Sequence, residues 1–176
     1  MVATPAFFNT HDVAEVSPDW YETLKRNALE AKMKRSRLCL HHSPDDPLHE
    51  MIIVFHQDAV IRPHRHSNKT ESCHVIFGEL DIVFDEEGKP TRLIRMGDLA
   101  SGKTLVYRIV GAIWHSVIVR SEYAAIHEVT NGPFRVEDSE FATWAPEQPD
   151  EIRAFLKNSV DDVLRDTSDR ARSAVK

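Results

Sequence analysis

The sequence predicts a mainly β protein, a single barrel or sandwich with one helix before it and one after it. Three observations carry this expectation. Short runs rich in β-branched and aromatic residues recur about every 8 to 12 residues through the middle of the chain, with turn clusters such as SPDDP, DEEGKP and MGDLASGK between them. Helical periodicity is confined to the two ends. Side chains with metal-ligating chemistry gather in one central stretch, PHRHSNKTESCHVIFG, at residues 63–78.

Composition narrows the class. A chain of 176 residues is most simply one domain, long enough to bury a substantial core. Its 41% hydrophobic and 28% charged residues are ordinary for a soluble globular protein. The net charge of -6, with no long stripe of Lys and Arg, argues against a nucleic-acid partner. The opening MVATPAFFNTHDVAEV lacks the basic and apolar regions of a secretory signal, and no run is long and apolar enough for a membrane helix. Cys39 and Cys73 make neither a disulfide framework nor a CxxC pair, so a reducing, cytoplasmic location is expected.

Taken in order, residues 1–16 read as an arm without a clean period. Ser17 as N-cap, Pro18 at the first helical position, Asp19 at the positive end of the dipole, and Trp20, Leu24, Ala28 and Ala31 at helical spacing predict a helix over 18–32. The basic run Lys32, Lys34, Arg35 and Arg37 reads as its solvated, dipole-complementing end, although such cations also suit an anionic substrate. Strands are expected at 37–42, 49–56, 59–66, from about Glu71 to Phe77, 79–84, 91–96, 105–110, 115–120 and 123–130. His41 and His42 are adjacent, so at most one of them faces inward. Pro133, Pro146 and Pro149 mark an irregular wrap in which Trp144 packs, and Ile152, Phe155 and Leu156 predict a second helix from about 150. The expected division is an arm at 1–16, a domain at 17–156 and a charged tail at 157–176, into which Val160, Val163 and Leu164 can extend the helix by two turns, with the last ten residues frayed.

The chemistry sits in the central stretch. His64 and His66 leave one face of a strand, and the polar residues Ser67 to Thr70 suffice to turn the chain so that Glu71 comes back beside them. Two neutral imidazoles and a carboxylate suit a divalent first-row metal: Fe(II), Mn, Ni, Co or Zn. The same parity puts Arg62 on the face of His64 and His66, unless Pro63 marks a bulge. Cys73 shares the face of Glu71 and reads as a small buried hydrophobe.

HxH, then Glu71 after four intervening residues, and Gly78 followed by Glu79 resemble the first motif of the cupin superfamily, and VGAIWHSV resembles its second. The resemblance implies a double-stranded β-helix, or jelly-roll, barrel, with His115 joining His64, His66 and Glu71 as the fourth ligand of one metal ion. The chain departs from the family pattern at Asp58, Val110, Ala112 and Val119, positions that concern turns and packing more than ligands. More narrowly, PHRHSNKTESCHVIFGE, FDEEGK, WHSV, Glu128 with NGPF, and WAPE resemble the WbuC family of cupin-fold metalloproteins over about residues 17–156. That implies a homodimer and a link to bacterial polysaccharide and O-antigen synthesis.

A metal held by four ligands keeps a position open for a small molecule, and Arg62 and Lys69 are candidates to hold a carboxylate, phosphate or sugar hydroxyl beside it. The expected activity is isomerisation or epimerisation of a sugar or polysaccharide-precursor intermediate. Tyr107, Lys69 and His49 have chemistry suited to moving the proton, although none is singled out as catalytic. An Fe(II)-dependent dioxygenase and a non-catalytic sugar-binding or metal-sensing barrel are the alternatives.

Overall fold

The computed structural model describes residues 6–173, and within α2 the side chains only as far as Thr167. Strands β1 (Ala6–Phe8), β2 (Arg35–Cys39), β3 (Leu48–His56), β5 (Thr70–Phe77), β8 (Val106–Val110) and β10 (Tyr123–Asn131) form one sheet, in the order β1-β2-β3-β10-β5-β8. Strands β4 (His64–His66), β6 (Glu79–Glu86), β7 (Lys89–Gly97), β9 (Trp114–Val119) and β11 (Ser139–Phe141) form the other, in the order β11-β4-β9-β6-β7. Between β3 and β10 the chain passes from one sheet to the other at nearly every turn, and each sheet places β10 or β9 beside strands remote in sequence. This is the jelly-roll path, and the fold is the cupin barrel expected from the two motifs.

Alternation of side chains builds the interior. Cys39, Met51, Ile53, Phe55, Cys73, Val75, Leu80, Ile82, Tyr107, Ile109 and Ile126 meet between the sheets. Helix α1 (Pro18–Glu30) lays Leu24 and Ala28 on the outer face of the first sheet, against Leu38, Ile52, Val54 and Ala125. Ser17 stands at its N-cap position, but its side chain makes no capping hydrogen bond. The outer face of the second sheet is covered by the wrap, where Trp144 meets Trp114 edge-on at 5.8 Å and lies 5.9 Å from Phe155. Gly78 closes β5 with φ of +78°, and a Cβ there would lie 2.3 Å from the Tyr123 carbonyl oxygen, so only glycine fits this turn. The DEEGKP hairpin turns at Glu87 and Gly88 with φ of 48° and 91°, the type I′ geometry that matches strand twist.

Two expectations change. The strand expected at 59–66 is only β4, because residues 57–63 run irregularly and the Pro63 carbonyl accepts from Ala142 N at 2.9 Å instead of joining a ladder. Arg35 and Arg37 lie on β2 and not at a helix end; of the basic run, Lys34 alone turns back, donating to the Leu29 carbonyl. Helix α2 (Pro149–Ser173) continues past Leu156, as the apolar residues Val160 and Val163 suggest, and both are buried. The fraying expected of the last ten residues falls partly on 174–176, outside the described residues. No helix among those described is long and apolar enough to cross a membrane.

One acid on the outer face of the second sheet is left in an apolar setting. Asp85 is 4% exposed, and neither carboxylate oxygen has a hydrogen-bond partner among the described residues. Burial pushes its carboxyl up to about 6, from an ordinary 3.8. A raised acid favours the protonated native state, so the stability this gives at low pH is lost as pH rises from about 4 through 6. The full penalty corresponds to about 2–3 kcal/mol. Asp85→Asn is therefore expected to stabilise the protein at pH 7.5 by up to ~2 kcal/mol and to leave it unchanged below pH 4. Urea unfolding at the two pH values measures this, and an equal effect at both would refute it.

Candidate metal centre

Three strands from two sheets converge on one point. β4 carries His64 and His66 on one face, β9 sets His115 directly across from His64, and β5 brings Glu71 from the opposite sheet. The turn between β4 and β5 is held open at Asn68, with φ of 60°, and Asn131 braces it by accepting from Thr70 N at 2.7 Å and donating to the Asn68 carbonyl at 2.9 Å. His64, His66 and His115 each offer a ligand nitrogen within 4.8 Å of the others. Glu71 reaches His115 Nε2 at 3.0 Å and His66 Nε2 at 3.6 Å.

The other edge of each ring explains the aim. His64 Nδ1 meets the Arg62 carbonyl at 2.9 Å, His115 Nδ1 the Ile113 carbonyl at 2.9 Å, and His66 Nδ1 the Ser139 hydroxyl at 3.0 Å. A carbonyl accepts only, so His64 and His115 carry a proton on Nδ1, which aims Nε2 inward; with no metal present, His115 Nε2 also holds a proton, donated to Glu71, that a bound ion would displace. Ser139 comes from β11, which pairs with β4, and nothing in the spacing of the sequence pointed to it.

Electrostatics sort the four groups. Burial, helped by His115 and His66, pulls His64 down to about 3, so it stays neutral and able to ligate. Burial also lowers His66. At His115 burial opposes the charge, but the hydrogen bond and charge of Glu71 outweigh it and raise the ring. Glu71 is likewise opposed by burial, yet held below the usual carboxylate range by the hydrogen bond from His115 and the charges of the imidazoles. The three histidine nitrogens form a triad that could hold a metal ion, and Glu71, 7% exposed, lies against two of them.

Behind Glu71 lies a second group of polar side chains. Glu128 of β10 stands beside Cys73 of β5, whose thiol lies 3.9 Å from Glu128 Oε2, and Tyr107 of β8 stands beside Cys73 on its other side. Glu128 is pushed up to about 7 by burial and by the charge of Glu71, against the pull of Arg37, Arg35 and His115. Burial pushes the Tyr107 hydroxyl and the Cys73 thiol well up, so both stay protonated and Tyr107 is a donor, not a base. An acidic residue at the inward parity of Ala124, Ile126 and Glu128 was the available sign, and it was read only as part of the family pattern.

The remaining expected site residues take other places. Arg62 does not face the histidines: its guanidinium donates to the Ala142 and Ala145 carbonyls at 2.7 and 3.1 Å and pairs with Glu147 at 3.2 Å, clamping the wrap. The strand parity that placed it beside the metal fails because residues 57–63 are not a strand. Lys69 is buried, its ammonium 5.0 Å from the Phe134 ring, and its charge acts on both His66 and His49. His49 is stacked on His41 at 4.1 Å, with Nε2 on the Pro44 carbonyl at 3.2 Å.

A family model described as a domain of unknown function, DUF6016, matches residues 16–96. No curated protein matches the chain. Among solved structures it is similar to protein SO0799 from Shewanella oneidensis, at 14% identity over 55% of this chain and 63% of that one, with a TM-score of 0.47. It is similar also to the capsular polysaccharide assembling protein CapF from Staphylococcus aureus, at 15% identity, 61% and 31% coverage and a TM-score of 0.46. The cupin domain of Cnp3 from Schizosaccharomyces pombe matches at 10% identity, 57% and 66% coverage and a TM-score of 0.44. The chain thus spans from about a third to two thirds of the length of these proteins.

Proposed function

We propose that this protein is a metal-dependent isomerase or epimerase acting on a sugar or polysaccharide-precursor intermediate. The observation that carries the reading is the pairing of two unlike groups in one barrel: a convergent set of three imidazoles with Glu71, and beside it the Glu128 carboxyl, poised near neutrality. His64, His66, His115 and Glu71 would hold the ion. A bound divalent metal supplies a Lewis acid for a carbonyl or vicinal diol. Glu128 takes or returns a proton, the role suited to a carboxyl whose affinity lies near the working pH. Tyr107, held protonated, donates a hydrogen bond to a developing oxyanion. The WbuC resemblance is what directs the reading toward polysaccharide precursors. The free edge of β8, with Val106 and Val110 exposed, suits the homodimer that the same resemblance implies.

Solvent exchange tests the reading. Metal-reloaded protein in D2O is expected to introduce deuterium at the carbon beside the carbonyl of a panel of aldoses, ketoses and uronates, without oxygen uptake. Oxygen consumption coupled to product would instead show a dioxygenase. Saccharide binding with no exchange across the panel would show a non-catalytic barrel.

A further inference from the structure

Two guanidinium groups that the metal centre does not use lie inside the same barrel. Arg35 and Arg37 leave β2 on the face of Cys39, which packs in the interior, while Ser36 and Leu38 between them face α1. They stand across from Phe55 and Ile53, both interior residues. Arg37 leans toward the metal end: its Nη1 lies 3.9 Å from Met51 Sδ, and Met51 is the strand neighbour of Glu128. In the ladder, Glu128 and Cys73 are one inward step from Thr130 and Glu71.

Their partners are missing. Arg62, Arg65 and Arg120 each pair with a carboxylate, whereas Arg35 and Arg37 pair with none among the described residues, and the Nε of each is buried without a hydrogen bond. The acid whose charge reaches Arg35 is Glu128, a single carboxyl set against two cations. Burial, with Arg37 beside it, lowers even the Arg35 guanidinium to about 10. Desolvating two like charges and leaving donors unmet costs free energy that apolar side chains would avoid. Yet Arg35, Arg37 and Glu128, though turned inward, each keep part of their surface accessible. A planar fork of N–H donors is suited to a carboxylate or phosphate.

We propose that Arg35 and Arg37 form an anion-binding subsite within the barrel, so that the molecule handled at the histidine centre is a small anion carrying a carboxylate or phosphate beside its vicinal oxygens. This rests on reading the cavity as a small-molecule site, but the subsite itself requires no metal. The test therefore uses chelator-treated full-length protein, with metal content measured separately. Inorganic phosphate, D-glucuronate and D-glucose are titrated calorimetrically at constant ionic strength into wild type, Arg37→Lys and the double variant Arg35→Gln/Arg37→Gln.

Wild type is expected to bind phosphate or glucuronate and not glucose, with affinity at least tenfold weaker in the double variant and intermediate in Arg37→Lys, which keeps the charge and loses the fork. Binding of glucuronate alone assigns a carboxylate, and of phosphate alone a phosphate. The unliganded double variant is expected to melt at or above the wild-type temperature, because a self-repelling pair has been removed. Absence of anion binding to wild type, equal binding by the double variant, or a fall of several degrees in its melting temperature would each overturn the proposal.

Discussion

Purified His115→Ala is expected to hold far less metal than wild type. His115 is the best placed of the four groups to show this, being 3% exposed, paired across the sheet with His64 and hydrogen-bonded to Glu71 at 3.0 Å. It is the imidazole that the second motif contributes. Binding energies of four-ligand protein sites, shared among their ligands, put the loss of one at roughly a few hundredfold or more in affinity. His64→Ala is expected to behave alike, whereas His74→Ala, at an exposed position on the same strand as Glu71, should retain the ion. Mass spectrometry of protein prepared without chelators reads the result. Near one equivalent of a first-row metal in wild type and His74→Ala, with little in the other two, is the expected pattern; full occupancy in His115→Ala would remove that residue from the site.

Glu128→Gln is expected to lower kcat by about a hundredfold or more while leaving metal content unchanged, the usual range for removing a general acid or base. The pH profile separates this from a packing effect. Glu128 acting as base is inactive when protonated, so kcat/KM should rise with pH through its pKa. In the protein without metal that value is about 7, and a bound cation favours the carboxylate, so the limb should lie at or below neutrality. The glutamine variant, with no proton to lose, should show no such limb. Its melting temperature is read alongside, because the substitution also takes away the carboxylate whose charge opposes Arg35 and Arg37. An unaltered profile in Glu128→Gln would assign proton transfer elsewhere.

That His64, His66 and Glu71 come together was legible because their spacing carries geometry, whereas His115 was expected from the family resemblance alone. HxH on a strand points both rings one way, four intervening residues turn the chain, and the glycine that ends the next strand is the only residue its turn admits. What supports the rings was not legible, for the same reason in each case. Ser139 reaches His66 through a strand pair 73 residues apart, and the Ile113 and Arg62 carbonyls act through backbone, which has no signature in residue type. Arg35 and Arg37 were misread because a basic run just beyond a helix has an ordinary explanation at its end; the chain enters a strand at Arg35, and from there alternate residues point to opposite sides. Arg62 was misplaced by applying that alternation where Pro63 had already ended it.

The three-residue strand β4 has neighbours from widely separated parts of the chain, β9 on one side and β11 on the other. Its histidines therefore gain their last supports, the β11 ladder and the Ser139 hydroxyl, from a segment made more than 70 residues after them. During synthesis a nascent chain can close most of the barrel before those residues leave the ribosome, with His66 still free to turn. The aim of the His66 ring is in this sense settled late, by the short segment from Ser139 to Phe141.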